Sequence, residues 1–260
     1  MRNLSGLVLF ASISLAAFAQ QPPSQPRIVT HHDGGVSEVL QSIYIPPLVN
    51  APFTLTLHTE WAKPIGDGGN ITVVNQRRIA RDSQGRIYQE RWLFVPKDSD
   101  IKSIMNLIQI VEPAQHLWYN CGMLSGGPKR CDIERYTNGP MATYSPAIGS
   151  NGPLPDNKGY RSHDDLGSRQ IEGIPTTGTR DSITYNPGAF GNDRAFTVSR
   201  EYWQAPSLGI NLISILDDPR IGKQTFIVTD IQLGDPDPAL FEPPAGHTIV
   251  DLRKPNAPEE

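Results

Sequence analysis

The sequence predicts a mainly β protein: roughly ten or eleven antiparallel strands, little helix, and one meandering, strongly curved sheet. Three observations lead there. Period-two alternation of apolar and polar residues dominates after residue 50. Gly (23 residues) and Pro (24 residues) are dense, as many short strands with tight turns require. Most links between the alternating runs are short, whereas parallel strands need long crossovers.

The chain opens with Met1-Arg2, an uncharged apolar run from Leu4 to Phe18, and the small-x-small triplet Ala17-Phe18-Ala19 ahead of Gln20. That is the pattern of an export signal over residues 1–19, cleaved after Ala19, and the apolar run is short for a membrane span. The expectation is a periplasmic or secreted protein with no transmembrane segment after cleavage. Residues 20–35 read as a flexible N-terminal segment, 36–251 as a single β domain, and 252–260 as a tail. Charge points to no partner: 23 Lys+Arg against 27 Asp+Glu, spread along the chain, leave no basic footprint for nucleic acid.

"FTLTLHTEW" sets Phe53, Leu55, Leu57, Thr59 and Trp61 on one face and Thr54, Thr56, His58 and Glu60 on the other. After "GDGG" the run "NITVVNQRRIAR" resumes the alternation, and "DSQG" turns the chain into "RIYQERWLFV". Two long strands on so short a turn make a hairpin. Residues 98–112 are ambiguous. Ile101, Ile104, Met105 and Ile108 fit a helical face, while Leu107 to Val111 reads as a buried strand; a strand from about residue 104 is favoured.

Cys121 and Cys131 flank a Gly/Pro turn, so a disulfide between them staples a hairpin. Residues 139–165 are crowded with Gly and Pro and read as a long loop. The strands "GSRQIEGI", "TTGTRDSITY", "RAFTVSREYW", "INLISIL" and "KQTFIVTDIQL" follow.

Few residues suggest chemistry. His31-His32-Asp33 and His163-Asp164-Asp165 have metal-ligand composition but lie in polar segments, and no metal site is expected of either. Glu90, Glu201 and Asp230 sit mid-strand near Arg91 and Arg200 and read as charges on a solvated sheet face. No catalytic motif or cofactor fingerprint is present, so no enzyme and no cofactor are expected. What remains is apolar lining in three rows: Phe53, Leu55, Leu57 and Trp61; then Tyr88, Trp92 and Phe94; then Ile227, Ile231 and Leu233. These rows either line a hydrophobic cavity on the concave side or pack together as a sandwich core.

The last forty residues bear on that choice. "KQTFIVTDIQLGDPDPALFEPPAGHTIVD" resembles the C-terminal signature of the LolA/LolB-like lipoprotein-carrier superfamily, in which a last long strand precedes Asp-Pro-x-Leu-Phe and Pro-Pro-x-Gly segments. Asp237, Pro238, Leu240, Phe241, Pro243, Pro244 and Gly246 match it. "NQRRIARDSQGRIYQERW" and "GNDRAFTVSREYW" look similar to exported proteins common in acidobacteria. The resemblance implies a LolA-like, unclosed half β-barrel with few short helices, whose concave face holds acyl chains. The Gly/Pro-rich 139–165 segment departs from it, being unsuited to a helical lid. Two functions follow as expectations. One is a periplasmic binding or carrier protein for a lipid, lipoprotein acyl chain or other hydrophobic ligand. The other is a non-enzymatic envelope protein whose barrel is filled by its own side chains or by a protein partner. In either, Leu240 and Phe241 tuck against the barrel rim and Pro243-Pro244 stops further pairing.

Overall fold

The computed structural model describes residues 42–66, 68–136 and 151–253. In chain order its strands are β1 (Phe53–Pro64), β2 (Asn70–Arg81), β3 (Ile87–Trp92), β4 (Val95–Pro96), β5 (Met105–Glu112), β6 (Leu117–Gly122) and β7 (Arg130–Arg135). Then come β8 (Gly152–Pro153), β9 (Gly159–Ile171), β10 (Ile174–Tyr185), β11 (Phe196–Ala205), β12 (Ile210–Asp218), β13 (Gly222–Leu233) and β14 (Thr248–Asp251). Among the described residues helix is limited to short 3₁₀ turns at 113–115, 155–157 and 238–241.

All fourteen strands join one sheet. The strands beyond the expected ten or eleven are the two-residue β4 and β8 and the terminal β14, too short to show alternation. Strand β1 is the centre, pairing with β2 (Leu55↔Ile79, Leu57↔Arg77) and with β13 (Leu57↔Val228, Thr59↔Phe226). Its expected face is the buried one: Phe53, Leu55, Leu57, Thr59 and Trp61 are all buried, and the intervening residues are more accessible. We call that face of the sheet inner and the opposite face outer.

Two wings spread from the centre. The N-terminal wing runs β2, β3, β5, β6, β7, β14; the C-terminal wing runs β13, β12, β11, β10, β9, β8. They curl toward one another. Val111 on β5 and Ile171 on β9 pack against a single inner cluster that includes Phe53, Leu57, Ile174 and Leu212. Seven strands lie between β5 and β9, which a flat sheet would hold about 38 Å apart at its usual strand spacing. The outermost strands, β14 and β8, do not pair with each other, so the barrel stays open. The unclosed antiparallel half-barrel implied by the terminal signature is the fold observed.

A strap of residues 42–48 lies on the inner face and buries Ile43 and Ile45 in the same cluster. Arg81 locks it in place. This side chain is completely buried, and its Nη1 donates to Pro46 O of the strap at 2.8 Å. Nε and Nη2 donate to Ala51 O, and Nη2 also reaches Leu208 O at 2.7 Å on the β11–β12 turn. Phe53 stacks beneath, 4.6 Å from the guanidinium carbon. Burial pushes the Arg81 pKa down to about 10, which still leaves it charged at neutral pH. Its carbonyl partners make that burial tolerable, since a buried charge without acceptors is strongly destabilising.

The outer face carries a second cluster on the N-terminal wing: Ala80, Tyr88, Ile108, Ile110, Cys121, Cys131 and Phe241. Cys121 and Cys131 stand directly opposite each other on β6 and β7 and are disulfide-bonded. The C-terminal run supplies Phe241. Strand β13 ends beside the start of β1, whereas β14 pairs parallel with β7 and must begin near Arg130, on the far edge of the N-terminal wing. Residues 234–247 therefore cross the outer face of the N-terminal wing. Asp237 accepts from Ala239 N at 2.9 Å and shapes the turn that seats Phe241 under Arg86, 4.7 Å from its ring. Two expectations change here. Phe241 caps the outer face rather than a rim, and pairing resumes after Pro243-Pro244 because His247 Nε2 contacts Gly122 O at 2.8 Å and delivers the chain to β7.

Residues 105–112 are strand, as favoured. Residues 159–165, expected within the loop, instead begin β9 and pair with β10 up to Thr179↔Asp165. The segment is polar on both faces, so it carries no alternation to read. The signal segment with its cleavage site, residues 20–35, His31-His32-Asp33 and 139–150 lie outside the described residues, as does the tail from residue 254.

Candidate functional site

The three apolar rows do not form one surface. Phe53, Leu55, Leu57 and Trp61 make the inner floor, and the first three are at most 1% exposed, sealed by the strap. Tyr88 belongs to the outer face, because Ile79 opposes Gln89 and Ala80 opposes Tyr88. Trp92 shares that face: its Nε1 and the Tyr88 hydroxyl both donate to Glu90, at 2.7 and 3.0 Å. Both faces of β3 are covered, so aromatic spacing could not tell inner from outer. Phe94 is half-buried just ahead of β4.

The third row is split by a β-bulge. Register shifts between Thr54 and Thr56, with Asp230 at φ 54° on β13. Ahead of the bulge Phe226 and Val228 face inward and Ile227 outward, 40% exposed; past it Ile231 packs on the inner cluster. Leu233, at the strand end, is 63% exposed. A bulge inserts one residue and so reverses the alternation downstream.

Between the strap and strands β11–β12 the inner face keeps a cavity of about 330 Å³. Ser42, Ile43 and Tyr44 form one wall; Arg200, Tyr202, Ser214 and Leu216 form the other. Tyr202 opposes Ser214 and Arg200 opposes Leu216, which places these four on the inner face. Burial, with Tyr136 nearby, pushes the Tyr44 phenol up, so Tyr44 enters the cavity as a neutral hydroxyl. The lining mixes apolar and hydrogen-bonding groups, as ligand sites do.

On the other side of the strap the inner face turns polar. Gln89, Gln109, Asn120 and Asp132 oppose one another in succession across β3, β5, β6 and β7. Arg91 Nε donates to Gln109 Oε1 at 2.6 Å, and Gln109 Nε2 donates to Asn120 Oδ1 at 2.9 Å. Burial holds the Arg91 pKa below its ordinary value. Arg77, nearly buried, donates from Nη2 to Ser42 Oγ at 2.6 Å, while its buried Nε has no acceptor. Sequence reading attended to the apolar beat and missed this patch. Its signal was a polar residue on the inward beat of successive strands, in "NQRRIAR", "IYQERW", "NLIQIV" and "WYNC".

The candidate carboxylates stay apart. Glu90 and Glu201 lie on the outer faces of opposite wings with four strands between them. Glu201 accepts from Trp203 Nε1 at 2.8 Å and Arg180 Nη2 at 2.6 Å. Burial pushes its pKa up, but these donors outweigh that and hold it below the ordinary value. Asp230 accepts locally, from Thr229 Oγ1 at 3.0 Å. His163 Nδ1 lies 2.7 Å from Asp181 Oδ1. Among the described residues no group of three His, Cys, Asp or Glu could hold a metal, and no helix is long and apolar enough to cross a membrane.

No family model matches the chain, and no curated protein matches it. Solved structures similar to it include MucB in the MucA/MucB complex of Pseudomonas aeruginosa. It is 12% identical, with a TM-score of 0.37, over 77% of this chain and 58% of that one. LprF from Mycobacterium bovis is 11% identical, with a TM-score of 0.32, over 76% and 90%. The lipoprotein LppX from Mycobacterium tuberculosis is 12% identical, with a TM-score of 0.24, over 71% and 87%. The chain thus spans little more than half of MucB, and likenesses of this size say nothing about function.

Proposed function

We propose that this is an exported, periplasmic binding protein that holds a lipid or other hydrophobic ligand on the inner face of its half-barrel. The cavity between the strap and β11–β12 carries the reading. Ile43 in its wall belongs to the inner apolar cluster, and at about 330 Å³ the cavity falls within the range of small-ligand sites. Ile43 and Ile45 occupy the floor as an acyl chain would, so a longer ligand displaces part of the strap. Lipid-free and lipid-bound states then differ mainly in residues 42–48.

A second reading has its own observation. The sealing of Phe53, Leu55 and Leu57 and the tie from Arg81 to Pro46 suit a half-barrel permanently filled by its own strap. Such a protein would serve the envelope by contact with another protein. Native mass spectrometry of protein purified from its own envelope, with displacement of a fluorescent fatty acid, separates the two. Ligand binding predicts a co-purifying lipid, and Ser214→Trp, which fills the cavity, should weaken probe uptake about tenfold in a variant whose circular dichroism matches the wild type. A ligand-free spectrum with no probe uptake leaves the filled-barrel reading.

A further inference from the structure

Several of the described arginines have their partners within the fold. Arg86, Arg130, Arg180, Arg220 and Arg253 each pair with a carboxylate, and Arg81 spends its donors on backbone carbonyls. Arg77 and Arg91 do neither. Among the described residues neither has a carboxylate within ion-pair range, although one is nearly buried and the other half-buried. A buried cation without a counter-charge or a full set of acceptors destabilises a fold, so its retention calls for a partner.

The two side chains share a place. Ile79 opposes Gln89, and both arginines lie two residues farther along the same strands, so both project from the inner face of adjacent strands. Asn75 Nδ2, donating to Trp92 O at 2.8 Å, keeps β2 and β3 side by side there. Each arginine is also preset. The Gln109–Asn120 relay grips Arg91 by Nε and leaves both terminal nitrogens without a described partner. Ser42 grips Arg77 by Nη2 and leaves Nε bare.

We propose that Arg77 and Arg91 form an anion seat that takes the phosphate or carboxylate head of an amphiphile whose chain lies under the strap. This deepens the binding reading above and rests on it. A planar guanidinium meets a tetrahedral or planar oxyanion through two parallel hydrogen bonds, and two such groups on neighbouring strands reach both sides of one head. Ser42 joins the seat to the strap: a head group competing for Arg77 removes the bond to Ser42, so binding at the seat loosens the strap beside the cavity.

The test uses a fluorescent long-chain alkyl phosphate, the alcohol of the same chain, and inorganic phosphate, each titrated at neutral pH and low salt. The wild-type protein should prefer the alkyl phosphate over the alcohol by about tenfold, the size expected of a charged hydrogen bond. Arg91→Gln should erase the preference while leaving alcohol binding unchanged, and Arg91→Lys should restore part of it. Arg77→Gln, the second variant, carries the same expectation should Arg91→Gln fail to fold. Equal binding of both amphiphiles, with no change in either Gln variant, overturns the seat while the binding reading stands. Arginine-dependent binding of inorganic phosphate, with neither amphiphile bound, keeps the seat but gives it to a free anion and sinks the lipid reading.

Discussion

Apart from the parallel β14, the two wings of the sheet are both antiparallel meanders, yet their outer faces are finished differently. The N-terminal wing is covered by residues from far along the chain: Phe241 and Leu240 over Tyr88, Ile108 and Ile110, a disulfide beneath, and β14 along the edge. The C-terminal wing has no such cover among the described residues. It relies on neighbours. Trp203 is buried there although its face is open, because Gly178 lets the indole lie against the backbone of β10 and Arg169 stacks over it at 3.7 Å. Glu201 with Arg180 completes this surface across the β10–β11 hairpin, while Asp218 with Arg220 ties the β12–β13 turn of the same wing. One wing is held by long-range burial, the other by local stacking and ion pairs. That difference says which wing should fail when which kind of contact is removed.

The largest break should come from Phe241→Ala. Its ring is 3% exposed, and truncation of a buried Phe typically costs about 3–5 kcal/mol. Urea unfolding should show the loss, with hydrogen exchange accelerating in β3, β5 and β6 and least in β10 and β11. Equal acceleration in both wings would dissolve the contrast. Replacing Cys121 and Cys131 by Ser together should cost about 2–3 kcal/mol, since the ring closed is short, and should again act on the N-terminal wing. The converse probe is Gly178→Ala. An added Cβ would sit 2.8 Å from the Trp203 ring, so about 1–3 kcal/mol should be lost with β10 and β11 opening first. Indole fluorescence compared with Trp203→Phe would locate the change.

The smallest effect is set by pH. Burial pushes the Asp218 carboxyl up, but the bonds from Arg220 outweigh that and hold its pKa below the ordinary value. A depressed carboxyl stabilises the fold fully above its unfolded pKa, near 4, and loses that contribution as pH falls through the folded value. Acid unfolding of the C-terminal wing should therefore begin below about pH 4. Asp218→Asn should flatten that limb of the stability curve and leave neutral-pH exchange in the N-terminal wing unchanged.

The sheet was legible wherever one face is buried and the other wet. Strand β1 alternates cleanly because the strap covers its inner side alone, and the "DSQG" hairpin and the disulfide followed from turn chemistry and spacing. Legibility failed where that condition failed. Strand β3 is covered on both sides, so Tyr88 and Ile87 look alike in sequence. The start of β9 is open on both sides, so 159–165 looks like a loop. The bulge at Asp230 reverses the beat within one strand and leaves no composition mark. The inner polar patch escaped for a related reason: Arg77, Arg91 and Gln109 occupy core-facing positions that an amphipathic strand ordinarily gives to aliphatic residues.

The climb of residues 234–247 across the outer face has a consequence for biogenesis. A chain made N-terminus first delivers Phe241 and β14 after every other described strand. Until they arrive, Tyr88, Ile108 and Ile110 have no cover, and the edge of β7 is bare for any strand that meets it. The C-terminal wing has no such wait, since each of its strands finds its partner in the hairpin before or after it. Residues 238–251 thus act as a completion seal, and a chain cut short before Pro238 would keep an uncovered N-terminal wing and a bare β7 edge.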